Sequence, residues 1–348
     1  MGVPEPRPAP NPRRQTRAAL HYLRRRRVVA AGLGSALARR AAAQSPAPWP
    51  QRPLRIMVGF AAGGGVDLAA RLLARTLADA LGQPVSVENR TGANGSLAME
   101  GVVRAGDGHT LLFGNTGSLA INNELFPDLS HDSLRDFEPV GLLVETPFFL
   151  AASTRLPVTS LDGFIAHARA HPGRLNFGSG GVGSAHHLAF EQFRRALGLD
   201  IAHIPYRGMA LAVQDVAGGR IDFVMDGYPT IRAAEAAGHL RMLAVTAAER
   251  VGWRPDLPTV AEATGLPGFA VPSWMALMVP AGTPEAIRQI LTDALAASLA
   301  PGAALAQALE RQGLPPRFRD GAAMRAFIAA ERARYAALIR EAGIRPTD

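Results

Sequence analysis

The chain has 348 residues, 48% of them apolar, no cysteine and a formal net charge of +8. That length suits two domains of ordinary size with real cores, and the lack of cysteine excludes thiolate catalysis and Cys-based metal sites. Outside the N-terminus no run of 18 or more uncharged apolar residues occurs, which excludes a multi-spanning membrane protein.

The charge is unevenly placed. Residues 1–43 hold ten arginines and one acid, Glu5; removing them from 37 basic and 29 acidic residues leaves 27 and 28, a net charge of −1. The remainder carries no basic footprint for nucleic acid. Arg24-Arg25-Arg26-Arg27 reads as a charged n-region, 28–38 as a short apolar h-region, and Ala41-Ala42-Ala43 as a site for signal peptidase. The apolar segment is too short to span a bilayer. A signal peptide over 1–43, cleaved near Ala43, is therefore expected, with a periplasmic mature protein. The arginine run also fits a twin-arginine signal, so the export route stays open between that and the general one. The other reading is a basic tail on a cytosolic protein. Residues 45–50 read as a linker.

In the mature part, 54–60 is a short apolar run ended by glycines, hence a strand. Helical spacing marks 67–81, stopped by Gly82; 84–88 is strand-like, 97–104 helical and 110–114 a strand. Strands follow at 140–144 and 148–152, then a helix over 160–170 with Ser160 as N-cap. Strands at 175–178, 201–205, 222–225 and 240–246 alternate with helices at 184–197, 210–217 and 231–237. A Pro-rich connection runs over 253–272, a strand over 273–279, and helices fill the rest, the last being 322–342. Alternation of this kind implies mostly parallel sheets covered on both faces. The expected organisation is two α/β lobes, 44–148 with 273–348 and 149–272, joined by two crossing strands that act as a hinge beside a central cleft.

Four loops at strand ends carry the candidate chemistry. Phe60, Ala61, Ala62, Gly63, Gly64, Gly65, Val66 and Asp67 lead from a strand into a helix. The glycines let backbone N–H groups approach a ligand, and the helix N-terminus favours an anion. No Lys or Ser/Thr follows them, so this is no P-loop. Asp67 either caps the helix or accepts a hydrogen bond from a ligand. The second loop, Gly178 to Ser184, matches G-x-G-x-x-G with Asp200 about 20 residues on, but Asp200 precedes its strand instead of ending it, against a dinucleotide site. As an anion nest it offers the Ser179 and Ser184 hydroxyls and the N–H groups of Gly180 and Gly183. His186 and His187 follow; adjacent positions point to different sides of a helix, so one packed and one exposed histidine is expected, with a Ser184/His187 hydrolase as the alternative. The third loop is Gly114, Asn115, Thr116, Gly117 and Ser118. The fourth is Asp226, placed to recognise an amine or hydroxyl on the ligand or to cap the next helix.

An ordered set of motifs spans nearly all of the mature chain. It includes Arg52-Pro53, Gly63-Gly64 with Asp67, Leu81-Gly82-Gln83-Pro84-Val85, Val87-Glu88-Asn89-Arg90, Asp136-Phe137 with Pro139-Val140, and Gly183-Ser184 with His187-Leu188. Further on come Pro205-Tyr206-Arg207-Gly208, Leu257-Pro258-Thr259-Val260 and Pro280-Ala281-Gly282-Thr283-Pro284. In these the sequence resembles the Bug family, the extracytoplasmic solute receptors of tripartite tricarboxylate transporters. The resemblance implies a type II periplasmic-binding-protein fold and a small carboxylate clamped between loops. The loop 60–67 would hold the carboxylate through N–H groups and water, Thr116, Ser179 and Ser184 would complete the clamp, and Asp226 would lie at the ligand's variable end. It implies membrane transporter subunits as partners and no enzymatic activity; no cofactor or metal is expected, and the protein is expected to be a monomer. A sensor docking on a signalling partner would use the same pocket. Ala61 or Ala62 stands where a Pro is usual in the family, Asn94 where Gly is common and His109 where Tyr is usual.

Overall fold

The structure, a computed structural model, describes Gly2 and residues 49–345. The export signal and its cleavage point lie outside the described residues. The chain divides between Gln51 and Arg52 into two compact units, and every element named below belongs to the second.

Two sheets organise that unit. The first has six strands in the order β11-β4-β10-β3-β1-β2: β1 (Leu54–Val58), β2 (Val85–Asn89), β3 (Thr110–Asn115), β4 (Phe137–Pro147), β10 (Pro272–Pro280) and β11 (Pro316–Asp320). The second has five in the order β7-β6-β8-β5-β9: β5 (Phe149–Ser153), β6 (Asn176–Ser179), β7 (Ala202–Pro205), β8 (Phe223–Asp226) and β9 (Leu240–Val245). The central strands β3 and β5 are buried at every position, which is why they read as continuous apolar runs.

The sheets are mixed, not mostly parallel. β1 runs parallel to β2 and β3, and β6 parallel to β7 and β8. The other pairs, made by β4, β5, β10 and β11, are antiparallel. The cause is topological. β4 and β10 pair from Phe137↔Pro280 to Pro147↔Pro272, so the chain leaves the first sheet and returns to it along one antiparallel ribbon. Where the two segments cross, Thr246 ties them. Its hydroxyl accepts the Phe148 N–H at 2.9 Å and donates to the Val271 carbonyl at 3.0 Å, and its backbone bonds both residues as well.

The helices form for local reasons. α1 (Gly65–Leu81) buries Ala69, Ala70, Leu73, Ala74 and Leu77 at helical spacing and ends on Gly82, whose φ of 65° gives the left-handed cap. α2 (Ser96–Ala105) and the short α3 (Asn122–Leu125) flank β3. In the second lobe α4 (Leu161–Ala170) has Ser160 as N-cap, as expected, its side chain accepting the Gly163 N–H. α5 (Ala185–Ala196), α6 (Met209–Ala217) and α7 (Tyr228–Ala236) each follow a strand directly. Phe177 stacks on Phe190 with centroids 3.9 Å apart, and Phe164 and Phe223 close around them.

Besides α3 and the helical turn before it, which the sequence does not announce, two elements depart from the sequence expectation. Inside the Pro-rich connection stands α8 (Val260–Thr264), held by a complete capping box between Thr259 and Glu262. After β10 come α9 (Glu285–Ser298) and α10 (Ala304–Glu310), but then the strand β11, before α11 (Gly321–Ala342). β11 reads Pro-Arg-Phe-Arg-Asp and has no apolar run to announce it. Its pairing with β4 and the salt bridges from Arg317 and Arg319 to Glu145 make it an edge strand.

Candidate functional site

A cavity lies where the loops of the two sheets meet. From the first lobe Phe60, Gly64, Gly65, Val66, Asn115 and Ser273 line it; from the second come Gly180, Ser184, His186, Gly208, Asp226 and Gly227. The centre of a water molecule has about 70 Å³ to move in, room for on the order of five waters, which is the bulk of a small organic ligand.

Four helix N-termini converge on this space. The N-caps of α1, α5, α6 and α7 are Gly64, Ser184, Gly208 and Gly227, and all four line the cavity. The three glycine caps lend no side chain to their helices. First-turn N–H groups have no intrahelical acceptor, so these ends present donors and partial positive charge to the cavity. Among the described residues no arginine lines it, and the chain has no lysine. An anion held here meets helix-end N–H groups and neutral side chains, not a guanidinium or an ammonium group of the protein.

Of the site residues expected from sequence, Phe60, Gly64, Gly65, Gly180, Ser184 and Asp226 line the cavity. Ala61, Ala62, Gly63, Asp67, Thr116, Gly117, Ser179, Gly183 and His187 do not. Asp67 is buried and works behind the loop. Its carboxylate accepts the Gly63 N–H at 3.0 Å, Arg71 Nε at 3.0 Å and Asn89 Nδ2 at 2.8 Å, while Asn89 Nδ2 also donates to the Phe60 carbonyl. Burial alone would raise the Asp67 pKa; the donors, Arg71 first, outweigh it and hold the pKa below the usual value. Asp67 thus fixes the loop and leaves the α1 N-terminus uncapped. Thr116 Oγ1 accepts the Trp274 N–H at 2.9 Å, locking β10 against the end of β3.

Ser184 caps α5 by accepting the His187 N–H at 3.2 Å, and His187 Nδ1 accepts the Gly183 N–H at 3.2 Å. The geometry expected of a nucleophile and its base is therefore not formed through Nδ1. Of the adjacent histidines, His187 is packed as expected, but His186 is not a surface residue. It lines the cavity and its Nε2 sits 3.1 Å from Asp226 Oδ1. Sequence reasoning also missed Asn94, Thr146, Phe148, Met209 and Met275 on the wall. Gly208 had a signal in its Pro-Tyr-Arg-Gly turn.

Asn94 joins the lobes. It sits at φ 49°, ψ 39°, and its Nδ2 donates to Asn122 Oδ1 at 2.7 Å and to the Gly183 carbonyl, in the other lobe, at 3.0 Å. The approach is close because Gly183 and Gly117 lack a side chain: a Cβ would lie 2.4 Å from Leu125 Cδ2 or 2.9 Å from Asn94 Nδ2. Asn94→Gly keeps the left-handed backbone and removes the amide. Loss of the bond to Gly183, about 1 kcal/mol, should weaken ligand binding by about fivefold, while loss of the bond to the buried Asn122 Oδ1, within the first lobe, should also lower the melting temperature of the ligand-free protein. Titration calorimetry beside a thermal melt checks this; an unaltered affinity would mean the bond does not hold the closed form.

Ser179 Oγ lies 2.6 Å from His203 Nε2, and the His203 ring stacks on His187 with centroids 4.0 Å apart. Burial, reinforced by charge on His187 and Arg194, pushes the His203 pKa down from 6.5 to about 3. The unfolded chain takes up this proton near pH 6.5 and the folded protein only near pH 3. The stability His203 contributes as a neutral group is therefore complete above pH 6.5 and is lost as pH falls toward 3. Urea midpoints measured from pH 7 to pH 4 should fall more steeply for the wild type than for His203→Gln. The difference in slope reaches at most about 1.4 kcal/mol per pH unit; parallel curves would contradict the assignment.

Two lobes joined by a paired-strand crossing, with a cleft lined by helix N-termini, are the architecture of a solute-binding protein. Residues 69–344 match the profile of the tripartite tricarboxylate transporter family receptor, and the chain belongs to that family. It is 37% identical over 314 residues to Protein BugT of Bordetella pertussis, a match that covers 90% of this chain and 96% of that one. Among solved structures, R. palustris Rpa4515 with adipate superposes at a TM-score of 0.82, with 35% identity over 86% of this chain and 99% of the other. MatC from Rhodopseudomonas palustris with bound malate superposes at 0.77, with 34% identity over 84% and 100%. The family is one of substrate-binding receptors, not of enzymes.

Proposed function

We propose that the protein is exported, loses its signal peptide near Ala43, and closes two lobes, 44–148 with 273–348 and 149–272, on a small carboxylate. It then presents that carboxylate to the membrane subunits of a tripartite tricarboxylate-type transporter. The observation that carries this reading is the convergence of four helix N-termini on a cavity without arginine. Such a cavity selects an anion by oriented N–H groups, and a carboxylate is the anion that relatives hold, as adipate or malate. Phe60, Gly64, Gly65, Gly180 and Ser184 are the direct contacts in this reading, with Asp226 at the distal end. Ala61, Ala62, Gly63, Asp67, Thr116, Gly117, Ser179, Gly183 and His187 shape the loops behind them. Thermal shift against a panel of mono-, di- and tricarboxylates and uncharged sugars tests it: stabilisation by at least one carboxylate is expected, and stabilisation by sugars alone would overturn it.

A further inference from the structure

Asp226 is the one formally charged carboxylate on the cavity wall among the described residues. It is 5% exposed. Its Oδ1 is fully engaged, accepting the Gly227 N–H at 2.7 Å and facing His186 Nε2 at 3.1 Å. Its Oδ2 has no partner. A carboxylate only accepts, so the contact at Oδ1 requires His186 to carry its proton on Nε2, and in the neutral ring this leaves Nδ1 an acceptor. Nδ1 also is buried and has no partner. It lies beside Gly180, whose missing Cβ would come within 3.3 Å of it, and Gly180 too lines the cavity. At the His186–Asp226 pair the second-lobe wall thus holds two buried acceptors and one negative charge, and neither acceptor meets a donor from the protein. Leaving such buried atoms unmatched is unfavourable.

We propose that the His186–Asp226 pair is a subsite for an ammonium group, so that the ligand is a zwitterionic amino carboxylate. Its carboxylate lies against the α1 N-terminus at Gly64 and Gly65, and its ammonium against Asp226 Oδ2 and His186 Nδ1. This rests on the carboxylate reading above and adds the chemistry of the other end. An ammonium supplies three donors and a positive charge, which suits two acceptors and one carboxylate; a hydroxyl supplies one donor and no charge. A second carboxylate would meet Asp226 with no cation beside it. Arg207 is exposed and lines an adjoining outer hollow, not the cavity.

Titration calorimetry on the mature protein tests the subsite with matched probes: alanine and β-alanine against propionate, 4-aminobutyrate against butyrate, with lactate and succinate added. At least one amino acid should bind tenfold or more tightly than its deaminated partner. In Asp226→Asn, which keeps the Oδ1 contacts to Gly227 and His186, that advantage should vanish, the amino acid binding no more tightly than its deaminated partner in the same variant. If lactate or succinate surpasses every amino acid, or amination never strengthens binding in the wild type, the ammonium subsite is wrong although the carboxylate reading stands. If no carboxylate of any kind binds, the carboxylate reading itself has failed. The wild-type comparison decides the matter even if the variant does not fold.

Discussion

Trp274→Ala should lower the stability of the protein by about 4 kcal/mol, in the range for emptying a buried aromatic site. In a chain of this size that is a fall in melting temperature on the order of 10 °C. Trp274 is on β10 and fully buried. Its indole Nε1–H donates to Glu331 Oε2 at 3.0 Å, and its ring meets Phe327 edge-on with centroids 5.3 Å apart. Both partners lie on α11, so one side chain fastens the last helix to the strand that returns from the second lobe. Glu331 would not be orphaned by the substitution, because Arg334 donates to both of its oxygens; the cost is therefore mainly that of the cavity. Trp274→Phe fills most of the volume and lacks the N–H, so it should cost less, about 1–2 kcal/mol. Denaturant titration of both variants checks the order; a Trp274→Ala protein within 1 kcal/mol of the wild type would show that the site collapses and that this docking is not where stability resides.

The same residue shows what the sequence made visible. The run around Trp274 reads as a strand because it is apolar and short, and β10 is that strand. That its partners are antiparallel was not visible, since the direction of a pairing depends on where the chain goes between strands. β11 was invisible for a related reason. Its Arg317 and Arg319 matter only beside Glu145, about 170 residues earlier; nothing local favours a strand. In the site, glycines announced themselves because a backbone approach leaves a compositional mark. Gly64, Gly65 and Gly180 were found on that ground. His186 was not, because its meaning depends on Asp226, 40 residues away. Asp67, Thr116 and Ser179 stood out as polar groups in loops after strands; Ser179 ends β6 and Thr116 follows β3, whereas Asp67 lies in the first turn of α1. But a polar side chain there serves either a ligand or the loop itself, and these three bond to neighbouring loops and strands and, for Asp67, also to Arg71 on its own helix.

The uncapped state of α1 leads to an expectation with two opposite signs. Gly64→Asp should raise the melting temperature slightly and reduce carboxylate affinity by a hundredfold or more. Gly64 sits at φ −80°, ψ 168°, an extended conformation that aspartate adopts freely as an N-cap, and a Cβ there meets only the Ala61 carbonyl at 3.7 Å, an ordinary contact. The new carboxylate would accept a first-turn N–H and complement the helix dipole, together worth about 0.5–1 kcal/mol. It would occupy the donors that a ligand needs. It would also place a like charge within about 4 Å of the ligand carboxylate, worth about 4 kcal/mol at an effective dielectric constant near 20. Gly64→Ala separates the two effects, since it adds bulk without charge and cannot cap; a modest loss of affinity and a small loss of stability are expected. Calorimetric titration and thermal melts on the three proteins give the answer. If Gly64→Asp binds the carboxylate as well as Gly64→Ala does, the anion is held elsewhere and the α1 N-terminus is only a structural end. Helix capping is usually read as a contribution to stability. Here its absence is the functional feature, because a side-chain cap on α1 would take up a first-turn N–H that the ligand needs.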